Sequence, residues 1–247
     1  MKLRATALLA AVLILLSSMP LAVLAQKKTF SRRYPASQTV RISLKNGYGT
    51  IEVQAWDRDE IKLSADMDSP SARVVPEVTS DNIEINVLRD NRGKDDAGEV
   101  SFRLWVPVNS DVDIETRRGN ITVRGVQGSS VRAHIFTSGD IELTGIRAAR
   151  VMAESVSGDI FFDGELRGGG KYEFKTYRGN INIRIPADSE FHLVATAPSS
   201  RSITLGSFST AGLSFIGDGR KITGSVGSGS AALTISNFQG SIAFMRR

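Results

Sequence analysis

The sequence predicts an all-β protein: a single-stranded parallel β-helix, or solenoid, with about 20 residues per rung, preceded by an N-terminal antiparallel β region acting as a cap. Three observations predict it. Seven isoleucines, Ile121, Ile141, Ile160, Ile181, Ile203, Ile222 and Ile242, recur at gaps of 20, 19, 21, 22, 19 and 20 residues. Four of them end the runs Arg-Gly-Asn-Ile or Ser-Gly-Asp-Ile. On both sides of that corner apolar residues occupy alternate positions, the period of a strand with one buried face.

Residues 1–25 read as a leader rather than as part of the fold. Lys2 and Arg4 precede an apolar run from Ala7 to Leu16, and Val23-Leu24-Ala25 places small residues where a signal peptidase reads. Cleavage before Gln26 and export, to the periplasm or the cell exterior, are expected. An uncleaved anchor helix is the alternative; Ser17-Ser18 and Pro20 interrupt the apolar stretch and argue against it. The remaining chain divides into an N-terminal β region or cap, 26–107, and solenoid repeats, 108–247, which together are expected to form one structural unit.

Residues 28–107 do not follow the repeat. They read as strands Thr29–Tyr34, Thr39–Leu44, Thr50–Gln54, Glu60–Ala65, Arg73–Thr79, Asn82–Leu88 and Glu99–Val106, separated by turn-rich breaks such as Asn46-Gly47-Tyr48-Gly49. Arg89 to Gly98 reads as a charged loop, and Pro107 stops the last strand. Such a region covers the first rung, since an open solenoid needs caps. Trp56 and Trp105 are expected in its core. After Phe244 no comparable cap follows, so the C-terminal solenoid edge, with Arg246 and Arg247, is expected to be charge-guarded or to pair with a second copy.

Each repeat holds two strands. The second carries Ile121/Val123, Ile141/Leu143, Ile160/Phe162 and Ile181/Ile183 inward. The first carries Val112/Ile114, Val151/Ala153, Tyr172/Phe174, Leu213/Phe215 and Leu233/Ile235 inward. Before Ile141 that register would bury Arg132 and His134, which is costly without partners. A bulge near Phe136 restores the phase, turning Val131, Ala133 and Ile135 inward and His134 outward. A similar slip before Ile203 puts Phe191, Leu193 and Ala195 inside. Gly119, Gly139, Gly158, Gly179 and Gly240 supply the tight corners, a second glycine ladder, Gly125, Gly145 and Gly164, lies at the other end of the same strands, and Asn120, Asp140, Asp159 and Asn180 suit the turn that follows each corner.

Composition excludes several functions. Without Lys2 and Arg4, 29 of the 31 basic residues remain against 26 acidic ones, a net charge of +3. That charge is scattered rather than clustered, so no nucleic acid is expected as partner. The absence of cysteine removes disulfides, thiol catalysis and thiolate metal sites.

The run Gly-Thr-Ile-Glu-Val-Gln-Ala-Trp-Asp at Gly49–Asp57, the Val106-Pro107 step, the repeated corners and the closing run from Gly227 to Ile242 resemble the bacterial putative-adhesin family of domains of unknown function, β-solenoids related to auto-transporter adhesin head domains. The resemblance covers residues 30–247 or so. It implies a right-handed β-solenoid in the cell envelope and carries over no catalytic residues. Arg201 and Arg220 stand where the family pattern has the corner glycine, a departure at the rungs of Ile203 and Ile222.

Candidate chemistry is sparse. Asp140 and Asp159 are the best carboxylate pair for glycoside chemistry or calcium. Asn120 and Asn180 hold the same place on flanking rungs, so a corner ladder explains all four, and neither metal nor cofactor is expected. Glu115, Glu154 and Glu173, with Lys175 beside the last, are expected as one solvated lane. His134 and His192 stand about three rungs apart, too far to share an ion. The glycosylation sequon at Asn120 runs through Ile121, which reads as core. Outward positions after each isoleucine are Thr122, Glu142, Phe161, Asn182, Thr204, Thr223 and Ala243; Phe161, with Met152 and Tyr177 alongside, would make a small ligand-contact patch. The reading is an exported, non-catalytic envelope solenoid that binds or scaffolds through an envelope glycan or protein partner, with no membrane span once the leader is removed. The alternatives are a glycan-active β-helix enzyme, lyase or glycosidase, and an envelope-stress accessory protein.

Overall fold

A computed structural model describes residues 28–93, 98–209 and 212–247. The expected leader and part of the expected charged loop, residues 94–97, lie outside the described residues. Seven strands come first: β1 (Lys28–Pro35), β2 (Arg41–Tyr48), β3 (Ile51–Trp56), β4 (Glu60–Met67), β5 (Glu77–Val78), β6 (Asn82–Asn86) and β7 (Val100–Pro107). The repeats continue with β8 (Asp111–Arg118), β9 (Ile121–Arg124), β10 (Ser130–Ser138), β11 (Ile141–Ile146), β12 (Arg150–Ser157), β13 (Ile160–Gly164), β14 (Lys171–Arg178) and β15 (Ile181–Ile185). The chain closes with β16 (Phe191–Thr196), β17 (Ile203–Thr204), β18 (Gly212–Ile216), β19 (Lys221–Val226), β20 (Ala231–Gln239) and β21 (Ile242–Arg246). A single helical turn, α1 (Val87–Asp90), sits between β6 and β7.

These strands form two large, mostly parallel sheets. Sheet A runs β1-β4-β7-β3-β9-β11-β13-β15-β21-β17, and sheet B runs β18-β19-β16-β20-β14-β12-β10-β8-β2-β6-β5. Register follows the apolar alternation. In sheet A, Ile51, Ile121, Ile141, Ile160, Ile181 and Ile242 are successive partners. In sheet B the matching series is Ile42, Val112, Val131, Val151, Tyr172 and Leu233. All twelve are buried and belong to one core, each contributing about 1.5–3 kcal/mol if fully withdrawn from water. The sheets meet where Phe162 lies 5.0 Å from Phe174. The one polar group in this series is satisfied: the Tyr172 hydroxyl accepts from Arg167 N at 2.6 Å and donates to Ala148 O at 3.0 Å.

The bulge falls where the charge pattern requires it. Pairing of β10 shifts between Ile135 and Ser138 against both neighbours. Val131, Ala133 and Ile135 are buried, while Arg132 and His134 sit on the outer face. Phe191, Leu193 and Ala195 are likewise buried.

Four expectations are corrected. First, β2 and β3 make a rung in register with β8 and β9. Their partnership is hidden because β4 to β7 are inserted before Ile121, so no 20-residue comb detects it; Asn46 to Tyr48 are strand, not a break. Second, Ile222 leaves the isoleucine ladder and pairs antiparallel in sheet B, opposite Ala195. Ile203 keeps its place beside Ile242, but in a strand of only two residues. Leu213 and Phe215 lie on β18, at the edge of sheet B, outside the parallel register. Third, the C-terminal strands are not edges. β20 is inserted between β14 and β16, and β21 between β15 and β17. Arg247 turns back onto Asp163 at 3.3 Å and Glu165 at 3.4 Å, with Arg184 also on Asp163 at 2.7 Å. Fourth, Trp56 and Trp105 are half-buried rather than core. Their rings are 6.4 Å apart and carry Arg58 and Lys62 over their faces.

Candidate binding surface

The corner between the two sheets is built from backbone demands. Gly49, Gly119, Gly139, Gly158, Gly179 and Gly240 all have φ between +119 and +148. They also stack directly: a Cβ on Gly158 would come within 2.0 Å of Gly139 O, and one on Gly119 within 2.1 Å of Gly49 O. Only glycine meets both conditions.

Two ladders of side chains hold that stack. On the outside, Asp140 N donates to Asn120 Oδ1 at 2.9 Å, Asp159 N to Asp140 Oδ1 at 2.8 Å, Asn180 N to Asp159 Oδ1 at 2.7 Å and Ser241 N to Asn180 Oδ1 at 3.1 Å. Asp140 and Asp159 are thus exposed members of a structural ladder, one oxygen of each engaged by the next rung. On the inside, Asn46, Thr116, Ser155, Thr176 and Asn237 are buried polar residues in one register, with Ile135 of the bulged strand β10 standing between Thr116 and Ser155. Asn46 Nδ2 donates to Tyr48 O at 3.0 Å, Thr116 Oγ1 to Arg118 O at 3.2 Å, Ser155 Oγ to Gly139 O at 3.0 Å, Thr176 Oγ1 to Gly158 O at 3.0 Å and Asn237 Nδ2 to Gly179 O at 2.8 Å. The sequence reading missed this inner ladder. Its signal, a Ser, Thr or Asn three residues before most corner glycines, was there to find.

The next position outward carries something the backbone does not require. Phe136, Val156, Tyr177 and Phe238 follow one another along the corner on β10, β12, β14 and β20, each 46–54% exposed. Tyr177 and Phe238 stack at 5.3 Å. On β8 the same position is Arg117 and on β2 it is Gly47; at that end Tyr48 and Leu88 border a recess of 560 Å³, lined also by Lys45, Arg118, Phe136 and Thr137 among others. Of the ten exposed large hydrophobic residues among those described, six lie on or beside this corner. A contiguous stripe of this kind marks a contact surface more than a scatter of single residues would. Beside it runs a polar lane, Tyr48, Arg118, Ser138, Ser157, Arg178 and Gln239, in register. Arg118 lies 6.0 Å from the Tyr48 ring and Arg178 5.9 Å from the Tyr177 ring. Among the described residues Arg117, Arg118 and Arg178 make no ion pair.

The outer face of sheet B adjoins the ridge and carries a lane of paired charges. Lys45, Glu115, His134, Glu154 and Lys175 are successive partners. The expected carboxylate lane is corrected: Glu173 belongs to the neighbouring lane, opposite Met152. Lys45 reaches Glu115 at 3.6 Å, Lys175 reaches Glu154 at 2.9 Å, and Arg132 bonds Asp113 at 2.8 Å and also Glu115. Burial alone would raise the Glu115 pKa, but the hydrogen bond and charge of Arg132, with Lys45 and His134, hold it below the usual carboxylate value. Burial pushes His134 below the ordinary imidazole value, with the Arg132 charge acting in the same direction against Glu154 and Glu115. Phe136 packs against the His134 ring, tilted by 39° with centroids 4.1 Å apart, joining this face to the ridge.

The expected patch of Phe161, Met152 and Tyr177 is not assembled. Phe161 faces outward from sheet A under Arg184, 5.3 Å from its ring; Met152 faces outward from sheet B. Tyr177 alone is on the ridge. Among the described residues no group of three His, Asp or Glu gathers to hold a metal, and no helix is long and apolar enough to cross a membrane.

Residues 41–243 match the family model described as Toastrack DUF4097. No curated protein matches the chain significantly. Among solved structures, the chain is similar to a "putative cell adhesion protein" of Clostridium sporogenes, at 10% identity and TM-score 0.49, covering 90% of this chain and 100% of that one. It is also similar to a "putative adhesin" of Bacteroides fragilis, at 11% identity and TM-score 0.48, covering 90% and 99%. A third, a "putative lipid binding protein" of Parabacteroides distasonis, has 13% identity and TM-score 0.37 over 88% and 97% of the two chains.

Proposed function

The chain belongs to the Toastrack DUF4097 family, and from that premise we propose that it is an exported, non-catalytic envelope protein that holds an acidic polysaccharide along the corner ridge. Its residues 26–247 act as one unit, wound as a right-handed solenoid, the hand in which parallel strands joined by crossovers pack back on themselves. The offset of 20 residues between Ile121 and Ile141 is one turn of that winding.

The observation that carries this reading is the pairing of two lanes: exposed aromatic faces beside arginines that no carboxylate of the described residues neutralises. Aromatic faces take the apolar faces of sugar rings. Guanidinium groups take carboxylates in bidentate pairs. Ser138, Ser157, Gln239 and the free oxygens of Asp140 and Asp159 offer partners for hydroxyls. The ridge is one side chain wide and recurs on the adjacent strands β10, β12, β14 and β20, roughly 4.8 Å apart, which suits an extended polymer. The sheet B face suits catalysis less, because Asp113, Glu115 and Glu154 are already paired with Arg132, Lys45 and Lys175.

Retention on uronic-acid polysaccharide, compared with a neutral one, tests this reading. The native chain is expected to bind the acidic polymer, and Tyr177→Ser with Phe238→Ser to weaken it by at least roughly tenfold, about 1.4 kcal/mol. Arg118→Gln with Arg178→Gln is expected to weaken binding and flatten its dependence on salt. Equal retention of native and variant proteins overturns the ridge as the contact. Unsaturated or shortened products turn the reading to an enzyme, and retention only on envelope protein turns it to a protein partner.

A further inference from the structure

The four ends of the two sheets are not protected alike. β1, at one end of sheet A, carries the exposed charges Lys28, Arg32 and Arg33 and ends at Pro35. β17, at the other end, is two residues long. β5, at one end of sheet B, is two residues long and follows Pro76. Charges, prolines and shortness are the devices that stop an edge strand from recruiting another chain. β18, at the remaining end, has none of them. It is Gly-Leu-Ser-Phe-Ile, five residues without charge or proline, pairing only with β19 among the described residues.

Sheet B also carries more strands than sheet A at this end. Among the described residues sheet A ends at β17, next to β21, whereas sheet B runs on past β20 through β16, β19 and β18. Leu213 and Phe215 sit opposite Gly224 and Ile222; Ile222 is buried, so these two point to the inner, core side. Phe215 is nevertheless 47% exposed, and Ile216 on the outer side 48%.

We propose that β18 is a self-association edge, pairing antiparallel with β18 of a second copy to join two sheets B into one. The strand is its own complement. With Ser214 on the two-fold axis, Leu213 of each copy lies opposite Phe215 of the other, and Gly212 opposite Ile216. An apolar side chain then meets an apolar one twice across the junction, and no like charges oppose each other. A two-fold interface of this type closes after two copies. It also leaves the corner ridge, built on β10, β12, β14 and β20, free on both copies.

Sedimentation velocity over a range of concentrations tests the pairing. The native chain is expected to dimerise reversibly. Ser214 is exposed, so Ser214→Lys and Ser214→Glu leave the fold intact, confirmed by unchanged circular dichroism, while placing like charges together at the axis. Each variant alone is expected to be at least tenfold weaker in association, and an equimolar mixture of the two to recover a mixed dimer. A native chain that stays monomeric throughout, variants that dimerise as well as the native chain, or variants whose mixture fails to recombine would each overturn the proposal. The result is independent of whether the ridge binds polysaccharide.

Discussion

At Gly158 two constraints coincide: a φ of +148 and a preceding carbonyl 2.0 Å from where a Cβ would go. Gly158→Ala is therefore expected to cost at least about 3 kcal/mol, since neither strain nor clash can relax without moving the stacked rungs. Gly169 has φ +74 and nothing within 4 Å of a Cβ, so Gly169→Ala is expected to cost only about 1–2 kcal/mol. Guanidinium unfolding of both variants checks the contrast. Thr176→Val removes the hydroxyl that donates to Gly158 O and Arg178 O and is expected to cost about 1–3 kcal/mol in the same assay. The glycines and the Asn or Asp after them were legible in the sequence because covalent geometry asks for those residues by name. Thr176 and Asn237 were not, because a polar residue at an inward position reads as a lapse in the alternation until its carbonyl partner is seen.

On the sheet B face, the stability of a whole lane depends on pH. The His134 pKa is lowered on folding, so protonation favours the unfolded chain as pH falls below 6.5. The Glu115 pKa is lowered too, so its contribution is complete above 4.5 and is lost as pH falls through its folded value. Acidification is thus expected to lower the unfolding midpoint in two stages. In His134→Gln the stage that begins near 6.5 should vanish while the lower one remains. If both stages persist unchanged in that variant, the lane does not titrate as its geometry requires. Elements in the middle of the chain were legible here, including the bulge, because burying Arg132 and His134 was too costly to accept. The placement of β20 and β21 was not. Periodicity reports which residues face inward, but not the order in which rungs stack, and an inserted rung keeps its period.

For the molecule as a whole, the sequence period led to two facing sheets and a shared core, and the strands β2 and β3 were missed as a rung only because a long insertion separates them from their partners. The ridge was legible in one residue, Tyr177. Its other members stand two positions before a glycine, or beside the bulge, where the alternation offers no inward or outward assignment. The central claim is that this ridge, rather than either flat face, is where an extended acidic polymer lies. Hydroxyl-radical footprinting with and without uronic-acid polysaccharide tests it most directly. Protection concentrated at Phe136, Val156, Tyr177 and Phe238, with Phe161 and Met152 unchanged, is the predicted result. Protection of Phe161 or Met152 while the ridge stays reactive would contradict it.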